Sequence, residues 1–312
     1  MKILITGGAG YIGSTLCEYL LNNNHEVTVL DTFMFSNDSL NGYMSNKNFS
    51  VYQEDVRNIT SIKKYISKND VIVPLACLVG APLCNLKEIE AEQVNFKSIK
   101  EMVDILSKDQ YMIYPTTNSG YGIGEKDKFC TEETPLNPIS VYGKTKVKAE
   151  EYIANNFRNS TRLRLATVFG CSPRMRLDLL VNDFVYRATK DRFIVLFESH
   201  FKRNYIHIRD VCRAMLMSIE DQNNFAGETF NLGLSDANLS KMELCNEIKK
   251  YIPSFQILES DIGKDIDKRD YIVSNEKIET KGFKPSYSID DGVKELMKLF
   301  KYLIPSESMR NF

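Results

Sequence analysis

The sequence predicts an α/β fold, a doubly wound parallel sheet with a smaller mixed α/β region on its C-terminal side. Three observations carry this reading. Apolar runs of strand length alternate with amphipathic runs of helix length. Gly7, Gly10 and Gly13 sit between the first strand and the first helix. Asp31 closes the second strand. Strands separated by helices return in the same direction, so they pair in parallel through right-handed crossovers.

The elements follow in order. Lys2-Ile3-Leu4-Ile5-Thr6 reads as a buried strand, and Tyr11 to about Leu21 as a helix. Val27-Thr28-Val29-Leu30 is the second strand and Phe49 to Gln53 the third. Val71-Ile72-Val73-Pro74 and Tyr111-Met112-Ile113-Tyr114 are the fourth and fifth. Helical patterns cover roughly Ile59–Ser67, Glu88–Leu106 and Ser140–Asn156. Beyond Leu163-Arg164-Leu165 the rhythm becomes irregular. Arg174 to Lys190 is expected as a helix, Phe193 to Leu196 as a strand and Arg209 to Ile219 as a helix. Lys241 to Phe312 mixes short strands and helices. No Pro/Gly/Ser linker divides the halves, so a shared cleft at the carboxyl ends of the strands is the expected ligand site.

Composition narrows the function. The 312 residues are 43% hydrophobic, enough for one large domain or two smaller ones. With 40 basic and 41 acidic side chains, no positive field exists to hold nucleic acid or an anionic membrane. Seven cysteines without CxxC spacing, and only three histidines, give no reason to expect a metal site. The opening MKILITGGAGYIG does not read as a signal peptide, and no apolar run reaches membrane-spanning length. A cytoplasmic location is expected, since free cysteines suit a reducing compartment.

The glycine loop has a mechanism in this context. Glycines allow a tight turn and a close backbone approach to a pyrophosphate, and the helix amino terminus adds free N–H groups and a positive dipole end. Tyr11 and Ile12 complete the loop. Asp31 can accept hydrogen bonds from ribose hydroxyls and would repel a 2′-phosphate, which favours NAD over NADP. Asp55-Val56, ending the third strand, could meet the adenine, or Asp55 could equally cap a helix.

Tyr142-Gly143-Lys144-Thr145-Lys146 contains YxxxK, which on a helix puts Tyr142 and Lys146 on one face. A tyrosine at its free pKa of about 10 is a poor base at neutral pH. A nearby ammonium and an oxidised nicotinamide can lower that value by roughly 1–3 units. The phenolate can then take the proton of a hydroxyl while hydride leaves. The pattern alone is common. Its position after the fifth strand, downstream of a dinucleotide loop, is what gives it meaning.

These residues resemble the extended short-chain dehydrogenases/reductases that act on nucleotide sugars. The resemblance spans nearly the whole chain: the TGGAGYIG loop, Asp31, Asp55, Leu75-Ala76, Asn95, the TTNSGYG segment, YxxxK, Arg203 to His207, and Gly282-Phe283-Lys284-Pro285. It implies a Rossmann-type fold with the NAD-binding part in residues 1–166, return segments near 204–232, and a nucleotide-sugar-binding part in 167–312. It implies Thr117 as the third catalytic residue and Asn95 as a support for the lysine through water. It implies Arg203 and Arg269 as clamps on the substrate pyrophosphate, and a dimer formed through the Glu88–Leu106 and Ser140–Asn156 helices. Asn118 and Ser119, beside the substrate, stand where dehydratases carry Asp-Glu and 3,5-epimerising members carry a second-position cysteine. Neither reaction is therefore expected. Thr167 stands where many members carry a phosphate-binding asparagine. The segments 165–184, 79–84 and TTNSGYGIGEKD are similar to those of the GDP-glycero-manno-heptose 4-dehydrogenases of capsule heptose pathways. Arg174, Arg176 and Asn182 are candidate substrate contacts on that basis. Oxidation at carbon 4, with the ketone released or re-reduced as in a 4-epimerase, is the implied chemistry; a non-catalytic NAD-binding module is a third reading, opposed by the intact Tyr142 and Lys146.

Overall fold

The computed structural model describes residues 1–35, 37–261 and 269–311. Asp267 and Lys268, which flank Arg269 in the sequence motif, lie outside the described residues. The first half runs β1 (Lys2–Thr6), α1 (Tyr11–Asn22), β2 (Glu26–Asp31), β3 (Phe49–Gln53), α2 (Ile59–Ile66) and β4 (Val71–Pro74). It continues through α3 (Ala81–Leu86), α4 (Glu88–Glu92), a π-helical turn (Gln93–Lys97), α5 (Ser98–Ile105), β5 (Tyr111–Thr117), β6 (Phe129–Cys130), α6 (Val141–Asn156) and β7 (Ser160–Leu165). Then come β8 (Thr167–Phe169), α7 (Leu180–Lys190), β9 (Phe193–Leu196), β10 (Lys202–His207), α8 (Ile208–Glu220), α9 (Gln222–Phe225) and β11 (Thr229–Leu232). The remainder is β12 (Asn238–Ser240), α10 (Lys241–Lys249), β13 (Gln256–Glu259), β14 (Ile272–Val273), α11 (Glu276–Thr280) and α12 (Ile289–Phe300).

Seven strands form one sheet in the order β11-β7-β5-β4-β1-β2-β3. Every pair in it is parallel. This is the doubly wound α/β architecture that the strand–helix alternation predicts. β4 and β5 are buried along their whole length, as strands covered on both faces must be. β11 shows that a late segment returns to the edge of the sheet. α8 packs on α1, with Val211 and Met215 in the same apolar cluster as Leu16 and Leu20.

A second apolar cluster joins Phe169, Val185, Tyr205, Leu244, Val293 and Phe300. It is built on a three-stranded sheet, β12-β10-β8, and a parallel pair, β13-β9. The cleft between the two clusters opens at the carboxyl ends of β1, β4 and β5. No described helix is long and apolar enough to cross a membrane.

Two expectations need correction. The helix expected over Glu88–Leu106 is two α-helical pieces joined by the π turn. The extra residue in that turn is where Asn95 makes its inward contacts (below), and π-bulges commonly mark such positions. The helix expected from Arg174 begins only at Leu180. Arg176 and Asp178 explain why: they form a two-pronged ion pair, with Nε to Oδ1 at 3.0 Å. Side chains at i and i+2 of a helix point to different faces and could not meet this way.

Candidate active site

The cofactor end of the cleft is made by β1, α1 and β2. Gly7 has φ +71°, and a Cβ there would fall 2.5 Å from the backbone nitrogen of Ala76. A Cβ on Gly13 would fall 2.6 Å from Gly8 Cα. Both positions are glycine because two backbones touch. Gly10 is the N-cap of α1 with no side-chain cap, so the first-turn N–H groups remain open to an anion. Asp31 is pre-set by the loop it serves. Its Oδ2 accepts from Ala9 N–H at 2.9 Å and its Oδ1 from Phe33 N–H at 2.8 Å. Burial pushes its carboxyl up, against the pull of those donors.

Asp55 is gripped by Arg57, with Nε at 3.0 Å from both oxygens, and this pair holds the carboxyl below its usual range. Val56, Leu75 and Ala76 line the same cavity. Tyr11 and Asn182 serve as braces. The Tyr11 hydroxyl donates to Gly170 O at 2.7 Å. Asn182, fully buried, accepts from Gly170 N–H at 3.0 Å and donates to Arg176 O at 2.8 Å. Both ends of its amide are spent inside the protein and it does not line the cavity, so the sequence expectation that it touches substrate is not met by this geometry.

Asn95 holds the β4–α3 loop. Its Oδ1 accepts from Leu78 N–H at 2.8 Å, and its Nδ2 donates to Leu78 O at 3.0 Å and Thr145 Oγ1 at 3.3 Å. Thr145 is the neighbour of Lys146, so Asn95 ties the loop to α6.

Thr117, Tyr142 and Lys146 converge on one wall of the cavity. Thr117 is one of the groups that pull the Tyr142 phenol pKa down. Burial drives that phenol well above its free pKa, and Arg269 is the strongest cationic influence opposing the rise. The Lys146 ammonium lies 4.0 Å from the centroid of the Tyr114 ring, and burial lowers its pKa. Arg269 Nη1 donates to Ser119 Oγ at 2.7 Å, and Thr117 Oγ1 donates to the same oxygen at 3.0 Å. A chain of contacts thus runs Arg269, Ser119, Thr117. Asn118 is buried, and among the described residues neither polar atom of its amide has a hydrogen-bond partner.

The cavity has a volume of about 800 Å³ and runs on to Thr167, Arg174, Arg176, Arg203 and Arg269. At its far end stand Val195, Leu196, Phe197 and Lys241. Lys241 is buried and donates to Phe197 O at 2.9 Å. No sequence signal marks it. A lysine opening a helix behind the capping Ser240 reads as solvated. Cys77, on the wall near Lys146, was likewise unmarked.

The residues fit a dinucleotide. The Gly7 turn admits backbone contact, the first turn of α1 offers N–H donors, and a buried guanidinium nitrogen, Nε of Arg174, has no acceptor among the described residues. Residues 3–233 match the NAD dependent epimerase/dehydratase family. The chain belongs to this family. It is an NAD-dependent enzyme. The low-salt glycan biosynthesis protein Agl12 of Haloferax volcanii is similar to it, at 27% identity over 306 residues covering 94% of this chain and 96% of the relative. The structure of UDP-glucuronic acid 4-epimerase from Bacillus cereus, in complex with UDP-glucuronic acid and NAD, superposes with a TM-score of 0.82. It is 26% identical, covering 96% of this chain and 99% of that one. UDP-glucose 4-epimerase of Thermotoga maritima shares the fold, with a TM-score of 0.84 at 23% identity over 96% of this chain and 99% of that one.

Proposed function

We propose that this family member oxidises carbon 4 of a nucleotide-linked sugar, GDP-D-glycero-D-manno-heptose, to the 4-keto sugar in capsule heptose biosynthesis. The observation that carries the carbon-oxidation reading is the convergence of Thr117, Tyr142 and Lys146 on the wall of one deep cavity that also holds the glycine loop. Bound at the glycine loop, NAD supplies the hydride acceptor. Thr117 holds the reacting hydroxyl oxygen, and Tyr142, after giving up its own proton under the pull of the nearby cations, takes the hydroxyl proton as a phenolate. Lys146 keeps the site cationic. Asn118 and Ser119 offer no acid or base for eliminating water. Arg203 and Arg269 suit a diphosphate because their forks match phosphate oxygens. Residues 167–312 would carry the sugar nucleotide and 1–166 the cofactor, in a cytoplasmic enzyme. The choice of guanine and heptose rests on the sequence resemblance of segments 79–84 and 165–184.

A second reading, a 4-epimerase that keeps the ketone, is favoured by the solved UDP-glucuronic acid 4-epimerase that this fold matches. Product NMR after incubation with GDP-D-glycero-D-manno-heptose separates the two. A 4-keto product with stoichiometric NADH is expected. An epimer without net NADH supports the second reading, and no conversion removes the substrate assignment.

The enzyme is proposed to work as a homodimer through α4 to α6. Leu86 and Ile89 are 79% and 78% exposed beside α6, an arrangement that suits a covered face. Light scattering is expected to give twice the chain mass, and a monomer would contradict it.

A further inference from the structure

We infer that Arg174, oriented by Asn311, binds the diphosphate of the cofactor, and that the 309–311 segment is part of the cofactor site. This reassigns Arg174, which the sequence places among substrate contacts. The reading rests on membership of the NAD-dependent family, not on which sugar is turned over.

Position comes first. The Arg174 backbone N–H donates to Ser14 Oγ at 3.4 Å, and Ser14 N–H donates to Gly10 O at 3.0 Å. Ser172 Oγ donates to Tyr11 O at 2.7 Å. Residues 172–174 are therefore fastened to the first turn of α1, where open N–H groups and the helix dipole draw an anion. The guanidinium lies over the Phe35 ring, 4.8 Å from its centroid, and lines the same cavity as Gly10 and Asp31. These neighbours all come from the cofactor half of the chain. Arg203, the diphosphate candidate at the substrate end, stands on β10.

Charge is the second argument. Arg174 is 4% exposed, and its Nε has no hydrogen-bond acceptor among the described residues. No carboxylate among those residues lies within salt-bridge distance of it. Asp178 is occupied by Arg176, and both oxygens of Asp31 already accept backbone N–H groups. Burial and the like charge of Arg176 push the Arg174 pKa down to about 10. Asp178 and Asp31 offset this only from a distance; a buried guanidinium with no carboxylate in direct contact is costly, and the phosphates of a dinucleotide are the anion that the cavity admits at this point.

Asn311 sets the direction. Its Oδ1 accepts from Arg174 Nη2 at 2.7 Å, which fixes the plane of the fork. The segment is itself docked: Leu177 N–H donates to Met309 O at 2.8 Å.

The test is calorimetric titration of NAD into protein stripped of nucleotide. Arg174→Ala is expected to raise the Kd for NAD about 10- to 100-fold, the weight of one charge-assisted contact. Arg174→Lys, keeping charge without the fork, should fall between. Asn311→Asp keeps the packing but places a carboxylate against the guanidinium, so it too should raise the Kd even if Arg174→Ala fails to fold. Arg203→Ala should leave NAD affinity near that of the parent. The inference is overturned if Asn311→Asp and a folded Arg174 variant bind NAD within twofold of the parent. It is also overturned if Arg203→Ala weakens NAD as much as they do.

Discussion

Tyr142 carries an opposition that a single residue can reveal. Burial holds its phenol protonated, while the charge of Arg269 pulls the other way. Removing a cation raises the pKa of an acid it stabilises, so Arg269→Gln should move the rising limb of the kcat/KM profile to higher pH. A profile unmoved by the change would show that the cation does not reach the phenol. Tyr142→Phe removes the proton acceptor and should cost about 10²- to 10⁴-fold in kcat, with NAD affinity unchanged by titration. Gly7→Ala tests the loop: its Cβ would meet Ala76 N at 2.5 Å at φ +71°. A loss of roughly 1–3 kcal/mol in urea denaturation is expected, with weaker NAD binding. At this scale much was legible, since Gly7, Asp31, Tyr142 and Lys146 belong to short local patterns whose spacing has a chemical purpose. Lys241 and the reassigned Arg174 were not, because nothing adjacent in sequence says what they face.

The central elements come from hydrophobic patterning, and their interruptions come from polar side chains. β1 to β4 match their expected bounds within a residue or so because apolar runs bounded by turns leave little choice. The π turn at Gln93–Lys97 and the non-helical path of residues 174–179 were invisible to that pattern. Each is imposed by a buried partner far along the chain or by a pairing at i and i+2. Asn95→Leu isolates the argument for the π turn. It leaves the Leu78 N–H without its side-chain acceptor, so a loss of about 1–3 kcal/mol is expected. Hydrogen exchange at the Leu78 amide should quicken as well. Unchanged exchange there would mean that the loop is held by packing alone.

Across the whole molecule, the two apolar clusters are joined by polar contacts around α12. Glu295 on α12 accepts from His207 Nε2 at 2.8 Å, pairs with Arg209 at 2.8 Å, and accepts from Cys171 N–H at 3.2 Å. Burial alone pushes its carboxyl up, but these partners together bring it below the usual glutamate range. A carboxyl lowered in the folded state contributes stability that is full above its unfolded pKa and lost as pH falls through the folded one. The melting temperature should therefore drop below about pH 4, and Glu295→Gln should flatten that acid limb. Equal limbs in the two proteins would remove Glu295 from the account.

By itself the sequence determined the parallel order of strands and helices, the glycine turn, and the Tyr142–Lys146 pair. Local periodicity and spacing encode these directly. Only the tertiary structure decided that Asn182 is spent as a brace, that Arg269 reaches the Thr117 network, and that Arg174 joins Asn311 beside the first helix. Those outcomes depend on contacts between residues as far apart as 14 and 172, or 174 and 311. Burial there sets which polar groups are consumed within the protein and which remain for a ligand.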